Sequence, residues 1–187
     1  RNFESLWFFV DLWGALEQTL AVTIQTHCFI HTERHFMQSQ RISINAKDGG
    51  KFGAYLSLPP TGKGPGIVLI QEIFGVNQHI REVADQYASD GFVVLAPDVF
   101  WRQEPGVDIA YDDAGFKKGF ALMQGMDFPK AVQDLCSAAE ALKARPEVSG
   151  KVASLGFCMG GTIAFFAGAQ WELGAAITFY GGGIVMN

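Results

Sequence analysis

The stretch LGFCMGG at residues 155–161 sets a lone cysteine among glycines at the end of an apolar run. A strand that passes directly into a helix must reverse direction within a residue or two. Such a turn holds its central residue in a strained backbone conformation. Gly156 and Gly160, two residues either side of Cys158, remove the Cβ atoms that would collide there. The sulfur is then lifted above the carboxyl end of a sheet, at a helix N-terminus whose free N–H groups and dipole favour an anion. A thiolate beside the N–H of Met159, aimed at a developing oxyanion, is equipment for acyl transfer. Two charged residues also invite a role. Glu72 closes the apolar run GIVLIQE, where a buried carboxylate is costly unless hydrogen-bonded or functional. Arg102, in PDVFWRQEPG, can fork two N–H bonds onto a carboxylate, stay solvated, or pair with Glu104.

The elements that position these residues alternate between strand and helix. RISINA and FGAYLSLP flank the turn KDGG and read as an antiparallel hairpin. GIVLIQE is continuously apolar, as a strand buried on both faces must be, and FVVLAPD is a second such run. Between them, Ile80, Val83, Ala84 and Tyr87 form a helical stripe that stops at Gly91. Phe128, Val132, Leu135, Ala139 and Leu142 mark another helix, ended by Pro146, with Cys136 beside the stripe as a packed, inert thiol. KVASLGF is a strand, GGTIAFFAGAQW a helix and GAAITFYG a final strand. Repeated β-α-β crossovers imply a mostly parallel sheet covered on both faces, an α/β three-layer sandwich.

Composition limits the alternatives. A chain of 187 residues with 49% hydrophobic and 18% charged residues supports one core, and 22 glycines suit many tight connections. A formal charge of −5 and the lack of any basic run argue against a nucleic-acid partner. Cys28, Cys136 and Cys158 are too few and too widely spaced for a disulfide framework, which fits a reducing, cytoplasmic setting. The apolar segment before Met37 is interrupted by Asp11 and Glu17, so neither a membrane span nor a signal peptide is expected. Residues 1–36 read as an extension and residues 37–187 as the domain. His27, His31 and His35 recur at helical spacing near Cys28 and Glu33, yet spacing alone does not close a coordination shell, and no metal is expected. GFCMGG has neither the P-loop lysine nor the dinucleotide-turn spacing, so no cofactor is expected. His79 suits a surface position.

With these motifs in order, QEIFGVN at 71–77, PDVFWRQEPG at 97–106, GFCMGG at 156–161 and FYGGG at 179–183, the chain resembles the dienelactone hydrolase family, a cysteine-using branch of the α/β-hydrolase fold. The likeness runs from about Met37 to Gly183. It implies Cys158 as nucleophile, Glu72 as the carboxylate that contacts the resting thiol and helps deprotonate it, Ile73 and Met159 as oxyanion-hole donors, and Arg102 as a holder of the substrate carboxylate. The implied substrate is a carboxylate-bearing unsaturated lactone or ester. In the family, the triad aspartate and histidine lie beyond the FYGGG strand, and no residue here takes those roles by motif. The expectation is therefore a truncated domain that lacks the last strands and helices and whose turnover is low. Its exposed sheet edge would invite self-association or cover by Trp7, Phe8, Phe9 and Trp13. A non-catalytic member acting through association is the alternative.

Overall fold

A computed structural model describes residues 38–184. The histidines at 27, 31 and 35 and the aromatic cover at 7–13 fall outside the described residues. The strands are β1 (Gln38–Asn45), β2 (Lys51–Leu58), β3 (Gly64–Ile70), β4 (Val93–Pro97), β5 (Val148–Phe157) and β6 (Ala176–Phe179). The helices are α1 (Gln78–Ser89), α2 (Asp113–Gln124), α3 (Phe128–Lys143) and α4 (Met159–Gln170). The strands form one sheet in the order β1-β2-β4-β3-β5-β6. β1 and β2 pair antiparallel, from Gln38 opposite Leu58 to Asn45 opposite Lys51, and β2 pairs antiparallel with β4. The β4-β3-β5-β6 part is parallel throughout. The hairpin, the parallel sheet and the central place of β3 match the sequence reading.

Two cores explain the layering. Val68, Ile70, Val93 and Leu95 point to the face covered by α3 and α4, through Val132, Leu135, Ala139, Ile163 and Ala164. Ile67, Leu69, Val94 and Ala96 point to the other face, where Ile80, Ala84 and Ala88 of α1 cover them. The alternation along β3 and β4 is the period-two consequence of the pleat, and burial of both sets makes each strand apolar throughout. α1 starts at Asn77, whose side chain accepts from the Ile80 N–H, and the chain leaves it through Gly91 at φ 102°. Cys136 is buried, and burial pushes its thiol up, as expected of an inert packed cysteine.

Two features depart from the sequence reading. β3 stops at Ile70, so Glu72 lies in the following loop and is half-buried; the residue sealed at the strand end is Gln71. Its Oε1 accepts from the Val99 N–H and its Nε2 donates to the Glu72 carbonyl, which ties the ends of β3 and β4 together. α2 was not foreseen. Its buried positions are Gly115 and Gly119 while Phe116 and Phe120 are exposed, so the segment has no apolar stripe to read.

The loop after β4 is pinned by charge. Asp98 accepts from the N–H groups of Phe100 and Gly106, and burial raises its carboxyl above the ordinary range. Arg102 donates through Nε and Nη2 to the two oxygens of Asp134, each at 2.8 Å, and through Nη2 to Asp48. Trp101 donates its indole N–H to Asp134 as well, and the Arg102 guanidinium lies 4.3 Å from the Trp101 ring centroid. Asp134 sits on α3 with its side chain only 6% exposed, so its charge depends on these three donor atoms. Asp134→Ala would leave Arg102 with Asp48 as its carboxylate partner and the Trp101 indole N–H without its acceptor, and urea unfolding should show a loss of about 2 kcal/mol. A loss below about 1 kcal/mol would mean that this cluster does not hold the loop.

Candidate active site

The site forms where β3, β5 and β6 end. Cys158 joins β5 to α4 with φ 54° and ψ −123°, a conformation that an L-residue adopts only when its surroundings enforce it. The enforcement is close packing. A Cβ at Gly156 would strike the Gly160 carbonyl, one at Gly160 would lie 2.6 Å from the Ile70 carbonyl oxygen, and one at Gly161 would lie 2.8 Å from that of Phe179. The first turn of α4 is thus wedged against the ends of β3 and β6. Cys158 N–H donates to the Phe179 carbonyl at 3.0 Å, and its own carbonyl accepts from Gly161 and Thr162. The Cys158 side chain is not used to cap α4. It is half-buried, at the positive end of a twelve-residue helix.

Among the described residues, neither the Ile73 nor the Met159 N–H donates to a backbone or side-chain acceptor, although both residues are buried. Buried N–H groups without partners are uncommon and mark a place where an anion can be received. The contact of Gly160 with the end of β3 brings the Met159 turn against the β3 loop that carries Ile73.

Glu72 is held by two tyrosines. Tyr111 O–H donates to one carboxylate oxygen at 2.6 Å and Tyr180 O–H to the other at 3.1 Å. No hydrogen bond joins Glu72 to the Cys158 thiol; Tyr180, whose O–H donates to Glu72, directly follows Phe179, whose carbonyl accepts from the Cys158 N–H. Tyr180 follows β6 with φ 41°, a second left-handed non-glycine residue at this site. Burial, and then the bond to Glu72, pushes both phenols up to about 12. Sequence reasoning missed both tyrosines. Tyr180 lies inside the FYGGG motif, while Tyr111 precedes a helix that has no apolar signature.

The structure does not bring Arg102 to this cluster. All its hydrogen bonds go to Asp134 and Asp48, and the alternative partner Glu104 pairs with Lys118 at 2.6 Å. His79 is exposed, with its ring edge-on to Tyr111 at 5.9 Å. A groove of about 580 Å3 runs between α3 and α4, lined by Phe128, Val132, Thr162 and Phe166, and its lining excludes Cys158. The chemistry points to the strand ends, not to that groove. No group of three or more His, Cys, Asp or Glu among the described residues is arranged to hold a metal, and no described helix is long and apolar enough to cross a membrane.

The two phenols titrate above their ordinary value of 10.0, so the fold favours their protonated form. Their bonds to Glu72 should persist below pH 10 and be lost as the pH rises through about 12. In an ultraviolet titration of the tyrosines, Tyr111→Phe and Tyr180→Phe should each remove one late-titrating phenol. Curves that superimpose on the wild type would rule out the clamp.

Comparison with known proteins agrees with this architecture. A family model described as the dienelactone hydrolase family matches residues 52–186. Carboxymethylenebutenolidase 1 of Cupriavidus pinatubonensis is 37% identical over 149 residues, covering 79% of this chain and 64% of that protein. The carboxymethylenebutenolidase of Pseudomonas sp. strain P51 is 36% identical over 148 residues, covering 79% and 62%. The chain therefore spans less than two thirds of the length of these relatives. A solved structure from Klebsiella pneumoniae that bears the dienelactone hydrolase name superposes with a TM-score of 0.66 at 29% identity, covering 78% of this chain and 60% of that one. With the sheet order, the cysteine elbow and these matches together, the chain belongs to the dienelactone hydrolase family and has its α/β-hydrolase-like fold.

Proposed function

We propose that this site cleaves a carboxylic ester or lactone with Cys158 as the attacking group. The observation that carries the reading is the strained elbow that sets the sulfur at the start of α4 beside two N–H groups with no acceptor, those of Ile73 and Met159. The relatives' name, carboxymethylenebutenolidase, points to a butenolide, which is a lactone.

The proposed step begins with transfer of the thiol proton to Glu72. This requires the carboxylate to exchange one tyrosine hydrogen bond for the thiol, and Tyr180, next in the chain to the Phe179 that binds the Cys158 N–H and the more distant of the two donors, is the one suited to yield. The sulfur lone pair forms a bond to the carbonyl carbon while the carbonyl π pair moves to oxygen, where the Ile73 and Met159 N–H groups stabilise it. Collapse breaks the bond from carbon to the leaving oxygen, which takes back the proton held by Glu72 and so restores its carboxylate, and leaves a thioester on Cys158. Water then releases the acid and restores the thiol. Burial of the oxyanion donors makes these bonds stronger than they would be in water.

Cys158→Ala should lower hydrolysis of p-nitrophenyl acetate and of a butenolide by at least about a thousandfold. Intact-mass analysis of the wild-type chain should find the acyl group on Cys158. Glu72→Gln should slow acylation at neutral pH by about a hundredfold and recover at high pH, where the thiol ionises unaided. Equal rates for wild type and Cys158→Ala would remove the nucleophile.

One observation favours association as a second reading. At the β6 edge, Ile177 and Phe179 are 40% and 42% exposed and line an apolar depression with Phe92, Leu155 and Tyr87. Sedimentation velocity over a range of concentrations would show a reversible dimer if this face self-associates, and a constant monomer if it does not.

A further inference from the structure

A cavity of about 140 Å3 opens on the hairpin side of the sheet, away from the β6 edge, and is lined by Arg41, Tyr55, Val76, Asp98, Gly106 and Asp108. Asp98 closes β4 and is only 7% exposed. The Phe100 N–H fixes one of its carboxylate oxygens and the Gly106 N–H the other, so the second oxygen lies at the Gly106 wall of the cavity. A carboxylate oxygen accepts about two hydrogen bonds, and each Asp98 oxygen receives one. No cation pairs with it. Among the described residues the Arg41 side chain, on the same cavity wall, likewise donates no hydrogen bond and joins no ion pair.

The charges on the wall decide what the cavity can take. Asp108 is already neutralised, its Oδ2 accepting from Arg81 at 2.7 Å, and the Tyr55 hydroxyl is engaged by Asp85. One positive group, Arg41, and one negative group, Asp98, are left without a charged partner. A carboxylate alone would suit Arg41 and be repelled by Asp98, and an amine alone would meet the reverse. A metal ion would face Arg41, and no three described His, Cys, Asp or Glu residues are grouped to hold one. A ligand that carries both charges satisfies both walls at once. Burial raises the Asp98 carboxyl above its ordinary range, and an ammonium beside it would offset that cost. Size narrows the choice further: a cavity of about 150 Å3 holds one benzene, so about six heavy atoms fit here.

We propose that this cavity binds a small α-amino acid as its zwitterion, with the ammonium on Asp98 and the carboxylate on Arg41. Its lining includes neither Cys158 nor Glu72, so it is a second site that stands apart from the ester-cleaving reading. Occupancy joins β1 to the loop after β4. That loop is in turn fastened to the segment after β3, where Asp108 bridges Gly75 and the Ile109 N–H donates to the Phe74 carbonyl at 3.0 Å.

The test titrates the full chain with L-alanine and with two isosteres that each lack one charge, L-lactate and L-alaninamide, at about pH 6.5, where the amine of the amide is charged. Amide shifts of Gly53, Gly106 and Val107, which line the cavity, report binding by nuclear magnetic resonance. L-Alanine should bind at least about tenfold tighter than either isostere. Arg41→Gln, a change at an exposed position, should bring L-alanine down to the affinity of L-alaninamide, and Asp98→Asn should bring it down to that of L-lactate. The lactate comparison tests the Asp98 arm on the wild-type chain, so it holds even where Asp98→Asn does not fold. Cys158→Ala should leave all three affinities unchanged, which separates this site from the nucleophile. No saturable shift at about 50 mM L-alanine would overturn the proposal. So would equal affinities for the three probes, which mark a solvent-filled gap, tighter binding of one isostere, which marks a site for a single charge, or a preference for L-alanine that survives Arg41→Gln.

Discussion

The wedge of α4 between the ends of β3 and β6 is the constraint on which the rest of the site depends. Three positions within six residues, Gly156, Gly160 and Gly161, face carbonyl oxygens so closely that no Cβ fits. That packing leaves Cys158 no relaxed backbone conformation, and φ 54° is the result. The strain is sustained by the bonds around it: the Cys158 N–H to Phe179 on one side, and Gly161 and Thr162 to the Cys158 carbonyl on the other. One local choice of residue thus sets three things together, the height of the sulfur above the sheet, its place at the helix N-terminus, and the open direction of the Met159 N–H.

Charge is distributed so that most of it is satisfied inside the protein. Asp134 holds Arg102 and Trp101, and Asp85 gathers Ser39, Tyr55 and Ser57 at the far side of the sheet. Glu72 is likewise occupied at rest, but by phenols, not by a cation. A neutral donor steadies the carboxylate without cancelling its charge, and it can be exchanged at lower cost than an ion pair. Such an arrangement is what the base role proposed for Glu72 requires. The tyrosines come from separate elements, the loop before α2 and the end of β6, so its position reports on both.

Much of this was legible in the residues, and the failures have physical causes. Strands buried on two faces are uniformly apolar, which is why β3 and β4 could be read directly, and the glycines around Cys158 announced the elbow because tight packing demands them. Sequence pattern places a residue on an element but does not say which partner will claim it. Arg102 could have forked onto substrate or Glu104; the partners it took, Asp134 and Asp48, are 32 and 54 residues away along the chain. Tyr111 and Tyr180 are 69 residues apart and meet only because both elements end over Glu72. α2 escaped because a helix that buries glycines and exposes phenylalanines inverts the pattern by which helices are recognised.

That inversion is itself informative, because glycine is a poor helix former and two of them one turn apart cost stability that some contact must offset. The offsetting contacts are backbone ones: Gly115 sits on the Ala110 carbonyl and Gly119 on the Ile73 carbonyl, while Asp112 caps the helix through the Gly115 N–H. A larger residue at 119 would push α2 away from Ile73. The Ile73 carbonyl, one peptide on from the Ile73 N–H, is therefore held from above by the helix that carries Phe116 and Phe120. The β3 loop and the helix above it are then one packed unit, and the direction of the Ile73 N–H is fixed by that contact without any moving part.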